Sequence, residues 1–351
     1  MIYKPPQLIF FTELEAAGAG ELLRRLGLID TVAARGYGIA MGMLDFSPER
    51  AELVRLLSER AIPVTAWLLL PHDAGYWFNV ENYPQAVAQY RLFRDWAKAE
   101  CLPFVAVGLD IEPSIQHLAE LMQLEATSLV GRAAAATRNA LFPAASEAYY
   151  NLVAEIRSDG YAVHTYQYPF MIDERRTATT LVQRMLNIVD LPADVEVLMC
   201  YSSMMPRHIF RSDLGGALVA EYGLDAESIG IGSTGGGIVR DPETGEPAPR
   251  LSWEAFARDL RLAAGFTDLI HVFSLEGCVA AGYFERLQDF DWSLPVHIPL
   301  RYRLTMRTIR TGIRLVLWWS RFGLSVLGWL GWVVVALMLG RRALQRLRSS
   351  S

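Results

Sequence analysis

The chain has 351 residues but almost no lysine, since only Lys4 and Lys98 are present. Nearly all of its positive charge is therefore arginine, and the formal net charge is −5. A protein that binds nucleic acid usually presents a strongly basic face. We therefore predict no nucleic-acid partner.

Cysteine is also scarce. The three cysteines, Cys101, Cys200 and Cys278, lie far apart and form neither a C-x-x-C motif nor a Cys/His spacing typical of zinc sites. We predict that they are buried free thiols, as in a reducing compartment. The sequence predicts neither a metal site nor a cofactor.

Charge is missing from one long segment near the C-terminus. Residues 322–339 contain no charged side chain, and as a helix they span about 27 Å, close to the thickness of a bilayer core. Arginines precede this segment at 301, 303, 307, 310 and 314 and follow it at 341, 342, 346 and 348. We predict a transmembrane helix at 315–340, a basic linker or surface helix at 289–314 and a basic tail at 341–351.

The distribution of arginine around this segment suggests an orientation. Counting Arg321, six arginines lie upstream and four downstream, and positive charge favours the cytoplasmic side. No basic and then apolar signal peptide opens the chain. We therefore expect a single-pass C-terminal anchor in the lipid bilayer with a cytoplasmic globular domain, or an extracytoplasmic one if a leader precedes Met1.

Short apolar runs alternate with longer amphipathic stretches along residues 1–288. This alternation is typical of strands followed by helices. The predicted strands are 8–14, 38–44, 63–70, 104–112, 161–168, 195–202, 228–233 and 269–275. Eight such units predict an α/β fold of the (β/α)8 TIM-barrel class. A doubly wound open sheet would carry a glycine fingerprint after its first strand, and none is present there.

Two acids end the fourth predicted strand, in the segment Gly108-Leu-Asp110-Ile-Glu112-Pro. Residues two apart on a strand point to the same side, so Asp110 and Glu112 should project together. Like charges held close raise at least one pKa, which suits a group that donates a proton near neutral pH. The alternative is that Asp110 or Ser114 only caps the following helix.

Other acids and aromatic residues are expected at the same rim, because the active site of such a barrel forms at the carboxyl ends of its strands. Acids transfer protons, and aromatic faces pack on sugar rings, so we predict a carbohydrate or glycoconjugate substrate. The aromatic residues could equally fill the barrel interior. The predicted site residues besides Asp110 and Glu112 are Glu13, Trp77, Tyr166, Gln167, Tyr168, Tyr201 and Glu276.

Two short motifs resemble strand ends of family 18 glycoside hydrolases, the chitinase-like barrels. Asp110-Ile111-Glu112 is similar to the end of that family's fourth strand, and Met199-Cys200-Tyr201 to the end of its sixth. The resemblance implies that Glu112 is the general acid, that Asp110 orients the substrate and that Tyr201 binds it. Gly108 stands where that family has a further acid. Glu276 would lie across the mouth of the barrel, as a nucleophile or base or as a helix cap.

The resemblance implies a glycoside hydrolase, and the uncharged C-terminal segment adds the membrane anchor, so the leading hypothesis is a membrane-anchored glycoside hydrolase. One alternative is a metal-dependent phosphoesterase or phosphosugar enzyme, in which Asp110, Glu112 and another acid bind Mg²⁺ and the segment Gly230-Ile-Gly-Ser-Thr-Gly235 holds a phosphate. A second alternative is a glycan-binding barrel without catalytic activity.

Overall fold

The computed structural model describes residues 5–25, 27–114, 117, 131, 136–205, 214–237 and 249–349. Within these ranges eight parallel strands form a closed barrel in sequence order, with the first strand paired to the eighth. The strands are β1 (Gln7–Thr12), β2 (Gly38–Met43), β3 (Val64–Leu68), β4 (Ala106–Asp110), β5 (Ala162–Gln167), β6 (Val195–Met199), β7 (Ser228–Gly232) and β8 (Leu269–Phe273).

Helices connect the strands and cover the outside of the barrel. They are α1 (Ala16–Leu23), α2 (Leu28–Ala34), α3 (Pro48–Glu59), α4 (Tyr83–Ala99), α5 (Leu141–Ser158), α6 (Met171–Thr177), α7 (Leu181–Leu186), α8 (Gly215–Tyr222), α9 (Trp253–Ala263), α10 (Leu275–Ala280), α11 (Tyr283–Arg286) and α12 (Leu300–Ser349). Serine caps three of them. The hydroxyls of Ser47, Ser252 and Ser274 accept hydrogen bonds from backbone N–H groups in the first turns of α3, α9 and α10.

The barrel prediction is confirmed, and the eight predicted strands coincide with the observed ones to within about three residues at each end. Side chains alternate across the barrel wall, as the period of a strand requires. On β4, Val107 and Leu109 pack outward against the helices, whereas Asp110 points inward. One apolar cluster lies between the strands and the helices. A second fills the interior of the barrel and includes Phe11, Trp67 and Tyr166.

The predicted membrane anchor is wrong. No helix in the described ranges is both long enough and apolar enough to cross a membrane. The predictions that depended on this anchor, namely a bilayer partner, a C-terminal anchor and a cytoplasmic orientation, are therefore wrong as well. The residues on both sides of the boundary predicted between 314 and 315 belong to one continuous helix, α12.

Four of the arginines upstream of the predicted anchor contact buried acids on the helices around the barrel. Arg310 and Arg314 donate to the buried carboxyl of Asp173 in α6, with N–O distances of 3.0 Å and 2.7 Å. Arg303 and Arg307 contact Glu221 in α8 at 2.9 Å and 2.6 Å. The first half of α12 is therefore docked on the barrel by ion pairs whose acids lie about 80 to 140 residues earlier.

One cysteine differs from the expectation. Cys200 and Cys278 are buried as predicted, but Cys101 is exposed. It follows the end of α4 in a left-handed backbone conformation (φ 50°), so its side chain lies outside the barrel wall. The Ala-rich helix expected after β4 falls mostly on residues 115–135, which lie largely outside the described part of the chain.

Candidate active site

A cavity of about 350 Å³ opens at the carboxyl ends of the strands. Its floor and walls come from six of the eight strands and the segments that follow them, as expected for a TIM barrel. Its polar groups are acids and tyrosine hydroxyls. The described residues that line it are Phe11, Glu13, Trp67, Trp77, Asp110, Glu112, Tyr166, Tyr168, Pro169, Phe170, Met199, Tyr201, Met204, Met205, Leu218, Tyr222 and Phe273.

Asp110 and Glu112 meet in this cavity, as their spacing predicts. Asp110 is 3% exposed. Burial and the neighbouring carboxylate of Glu112 raise the pKa of Asp110 well above its ordinary value. Burial also raises the pKa of Glu112, although the hydroxyl of Tyr168 donates a hydrogen bond to it at 2.6 Å. Two carboxyl groups this close can share one proton, and the raised pKa values mean that the pair keeps it to a higher pH than isolated carboxyl groups would.

The wall beside the pair depends on a glycine. Gly108 lies two residues before Asp110 on the inner face of β4, and a Cβ built there would come within 2.4 Å of the Tyr166 hydroxyl oxygen. Tyr166 is 1% exposed and lines the cavity. The absence of a side chain at 108 therefore makes room for a phenol beside Asp110. An acid at this position, as in the family 18 motif, would collide with Tyr166.

Glu13, Tyr76 and Glu276 form a second polar group at the rim. The hydroxyl of Tyr76 donates to Oε1 of Glu13. The backbone N–H of Glu13 donates to Oε1 of Glu276 at 3.2 Å. Burial raises the pKa of Glu276. Glu276 lies in the first turn of α10 behind Glu13 and is not among the lining residues.

The glycine segment after β7 approaches acids rather than an anion site. A Cβ at Gly236 would lie 2.9 Å from Cγ of Glu276, and one at Gly237 would lie 3.0 Å from Oε2 of Glu13. Both glycines have positive φ, 79° and 81°. Two carboxyl groups this close oppose binding of a phosphate, so the described part of the segment gives the predicted phosphate cradle no support.

Most of the predicted site residues line the cavity, but not all of them. Glu13, Trp77, Tyr166, Tyr168 and Tyr201 line the cavity together with the acid pair. Gln167 does not. Gln167 is the last residue of β5, and its side chain points away from the cavity. It is 2% exposed and donates to the Thr165 hydroxyl at 3.4 Å.

Two lining or supporting residues lie outside the prediction. Trp67 donates from its indole nitrogen to Oδ2 of Asp110 at 3.0 Å, and Tyr76 binds Glu13. Both lie on or after β3, and the register between β3 and β4 that places Trp67 beside Asp110 is a pairing over more than 40 residues. The aromatic character of the loop after β3 is the only local signal for Tyr76.

A metal centre was not predicted, and the alternative hypothesis required one. Across the ranges that the structure covers, no three His, Cys, Asp or Glu side chains converge in a way that could hold a metal ion. The Mg²⁺ set proposed for Asp110, Glu112 and a third acid therefore has no matching geometry among these residues.

Comparison with known proteins gives no family. No family model matches the chain, and no curated protein matches it. Among similar solved structures, a D-allulose 3-epimerase from Methylomonas sp. shares 13% identity over 83% of this chain and 100% of its own, with a TM-score of 0.44. A xylose isomerase-like TIM-barrel protein from Mycobacterium smegmatis shares 14% over 81% and 95%, with a TM-score of 0.43.

A 3-keto-D-glucoside 4-epimerase from E. coli shares 13% identity over 81% of this chain and 98% of its own, with a TM-score of 0.43. These proteins are epimerases and an isomerase-like barrel rather than chitinase-like hydrolases. The predicted family 18 resemblance is wrong, and so is the membrane-anchored glycoside hydrolase inferred from it. Two strand ends of three residues were too short to identify a family, because acids and tyrosines occur at the rims of many unrelated barrels.

Proposed function

We propose that this barrel is an enzyme that transfers protons within a small carbohydrate-like molecule, with Asp110 and Glu112 as its acid–base pair. The observation that carries the proposal is that the buried carboxyl group of Asp110 and the half-buried one of Glu112, both with raised pKa values, lie together in an aromatic cavity. Perturbed carboxyls in a cleft are a recognised mark of catalytic sites.

The pair suits removal and return of a proton at carbon. One carboxylate takes a proton from the carbon beside a carbonyl group, and the electron pair moves to the carbonyl oxygen to give an enolate. The other carboxyl group, or the same one after the proton is exchanged, returns a proton to a neighbouring carbon or to the opposite face. The product is an isomer of the substrate, so no other reactant is consumed.

The tyrosines support the same chemistry. Tyr166 and Tyr168 lie beside the pair, and burial and the neighbouring carboxyls raise the pKa of both. Both hydroxyls therefore stay protonated. That of Tyr168 donates to Glu112, and that of Tyr166 can donate a hydrogen bond to a developing enolate oxygen. The aromatic faces of the cavity provide a surface for the C–H face of a sugar ring.

Solvent exchange tests the proposal without knowledge of the product. The full chain is incubated in D₂O with a panel of aldoses, ketoses and amino sugars, and incorporation of deuterium at carbon is followed by NMR. We expect incorporation into at least one sugar, and a loss of at least about 100-fold for Glu112→Gln and for Asp110→Asn.

A matched control distinguishes the loss of a catalytic carboxyl group from the loss of one negative charge. Glu15 also lies at the rim, but its side chain is exposed, so Glu15→Gln removes one negative charge outside the cavity and should retain activity. Thermal unfolding of each variant shows whether it is folded. Binding of a sugar without exchange, or equal exchange by wild type and a folded Glu112→Gln variant, would overturn the proposal.

A further inference from the structure

One part of the cavity wall is apolar, and the proton transfer proposed above does not use it. Its residues come from the segments that follow β5 and β6 and from α8, not from the strand that carries the acid pair. Helix α8 packs against the 3₁₀ turn Ser202–Met204, so these segments adjoin. We call this part the apolar arm, and its residues are Pro169, Phe170, Met204, Met205, Leu218 and Tyr222.

The apolar arm begins beside the acid pair. The hydroxyl of Tyr168 donates to Glu112 at 2.6 Å, and the ring of Tyr168 stacks on that of Phe170, with centroids 5.1 Å apart and planes 9° from parallel. Phe170 is therefore one aromatic ring away from the carboxyl group of Glu112. The arm and the acid pair line the same cavity, so one molecule can contact both.

The side chains of the apolar arm have almost no polar group to offer. Five of the six are apolar, and the hydroxyl of the sixth, Tyr222, donates to Asp173 at 2.7 Å. A second sugar ring placed here would lose hydrogen bonds to water without gaining a side-chain partner from these six residues. An apolar group would instead be stabilised by its removal from water.

The size and flexibility of the arm favour a chain over a rigid group. The cavity volume of about 350 Å³ lies within the range of about 300–1,000 Å³ that holds drug-sized molecules, which are larger than one sugar ring. Two of the six side chains are methionines, which are unbranched and adapt to irregular shapes. Met204 is 47% exposed, so the arm reaches the solvent and a long group need not end inside it.

We propose that the apolar arm binds an alkyl chain of the substrate while the head group of the same molecule lies at Asp110 and Glu112. This inference rests on the proposed function and specifies its substrate as a sugar-like molecule conjugated to a hydrocarbon chain. The chain passes Phe170 and leaves the protein at Met204. Its burial supplies affinity and holds the head group in place for proton transfer.

A series of n-alkyl β-D-glucosides from methyl to octyl tests the arm, because the head group stays constant and only the chain length changes. Their carbonyl carbon is locked as a glycoside, so they bind without undergoing proton transfer. Isothermal titration of the full chain, below the critical micelle concentration, gives each dissociation constant. We expect it to fall about three- to fourfold for each added methylene that the arm buries. Phenyl β-D-glucoside should bind more weakly than the octyl glucoside.

Variants locate the effect. Met204→Gln keeps the length of the side chain and makes it polar, so it should weaken octyl glucoside about tenfold and methyl glucoside less than about twofold. Leu218→Gln should act in the same direction. Leu92→Gln is the matched control, because Leu92 is 59% exposed on α4 and does not line the cavity. If thermal unfolding shows that Leu218→Gln does not fold, the half-exposed position 204 still decides the question.

The outcomes distinguish this inference from the proposed function. Equal affinity for all chain lengths, tighter binding of the phenyl glucoside than of the octyl glucoside, or a chain-length dependence that Met204→Gln leaves unchanged would overturn the alkyl site. Deuterium exchange into a free sugar without any chain-length dependence would retain the enzyme and reject the alkyl site. A chain-length dependence that Met204→Gln reduces, without exchange into any sugar, would retain the alkyl site and reject the enzyme.

Discussion

The indole nitrogen of Trp67 donates a hydrogen bond to Oδ2 of Asp110 across 3.0 Å, in the interior of the barrel. The two residues are 43 positions apart in the chain, and both are nearly inaccessible to water. This bond stabilises the charged form of Asp110 and opposes the effects of burial and of Glu112 on its pKa.

Removing this donor should raise the pKa of Asp110 further. In Trp67→Phe the ring remains but the N–H is lost, so the charged carboxylate loses its hydrogen bond. The pKa of Asp110, followed by carboxyl ¹³C NMR, should increase relative to wild type. Trp77→Phe makes a matched control, because Trp77 donates no hydrogen bond to Asp110. An unchanged or lowered pKa in Trp67→Phe would contradict the role assigned to this bond.

Asp110 should make the protein less stable as the pH rises. Its folded-state pKa lies above the unfolded value near 4, so the contribution of its protonated form is complete below pH 4 and is lost as the pH rises through the folded-state pKa. Asp110→Asn cannot ionise, and its stability relative to wild type should therefore increase with pH above 4. Urea unfolding at several pH values measures this, and a constant difference between the two proteins would refute it.

His164 should act in the opposite direction. Burial lowers the pKa of His164 to about 4, whereas the unfolded value is near 6.5. The contribution of neutral His164 to the free energy of unfolding is therefore complete above pH 6.5. It is lost as the pH falls toward 4, by roughly 3 kcal/mol at most. His164→Gln should show a shallower loss of stability over this range. His72→Gln, which removes a histidine from the surface instead of the interior, is the control.

The docking of α12 should depend on Asp173. Its carboxyl is fully buried and receives hydrogen bonds from Tyr222 at 2.7 Å and from Arg310 and Arg314. Asp173→Asn leaves buried guanidinium charge short of a partner and should cost about 3 kcal/mol of unfolding free energy. Amides of residues 300–321 should also exchange faster with deuterium.

An exposed pair gives the comparison for this experiment. Asp30 and Arg60 form an ion pair at the surface. The side chain of Asp30 is 71% exposed and that of Arg60 is 50% exposed. Asp30→Asn should therefore change stability by less than about 1 kcal/mol. Equal effects of the two substitutions, or unchanged exchange of α12 in Asp173→Asn, would show that the buried ion pairs do not hold this helix.

The barrel could be predicted because its information is local. Each strand is a short apolar run, each run is followed by a helix pattern, and eight repeats leave few topologies. The position of Asp110 relative to Glu112 could be predicted for the same reason, since it depends only on strand alternation. Gln167 was misplaced although the same rule applied, because Tyr166 and Tyr168 on either side of it share the inward face.

The remaining errors concern partners distant in sequence. Arg310 and Arg314 could be interpreted as flanking a membrane because nothing nearby in the chain reveals that Asp173 binds them. The contact of Trp67 with Asp110 depends on strand register, and that of Tyr76 with Glu13 on the path of a loop. A motif of three residues could not identify the reaction either, because chemistry depends on the whole set of side chains in the cavity.

The central claim is that Asp110 and Glu112 share a proton, and carboxyl ¹³C NMR of the two residues between pH 3 and 9 tests it most directly. We predict that at least one of them titrates well above the ordinary range of Asp and Glu, and that Glu112→Gln lowers the pKa of Asp110 by removing the neighbouring charge. Independent titration of both carboxyls near pH 4, unaffected by substitution of the other, would contradict the account.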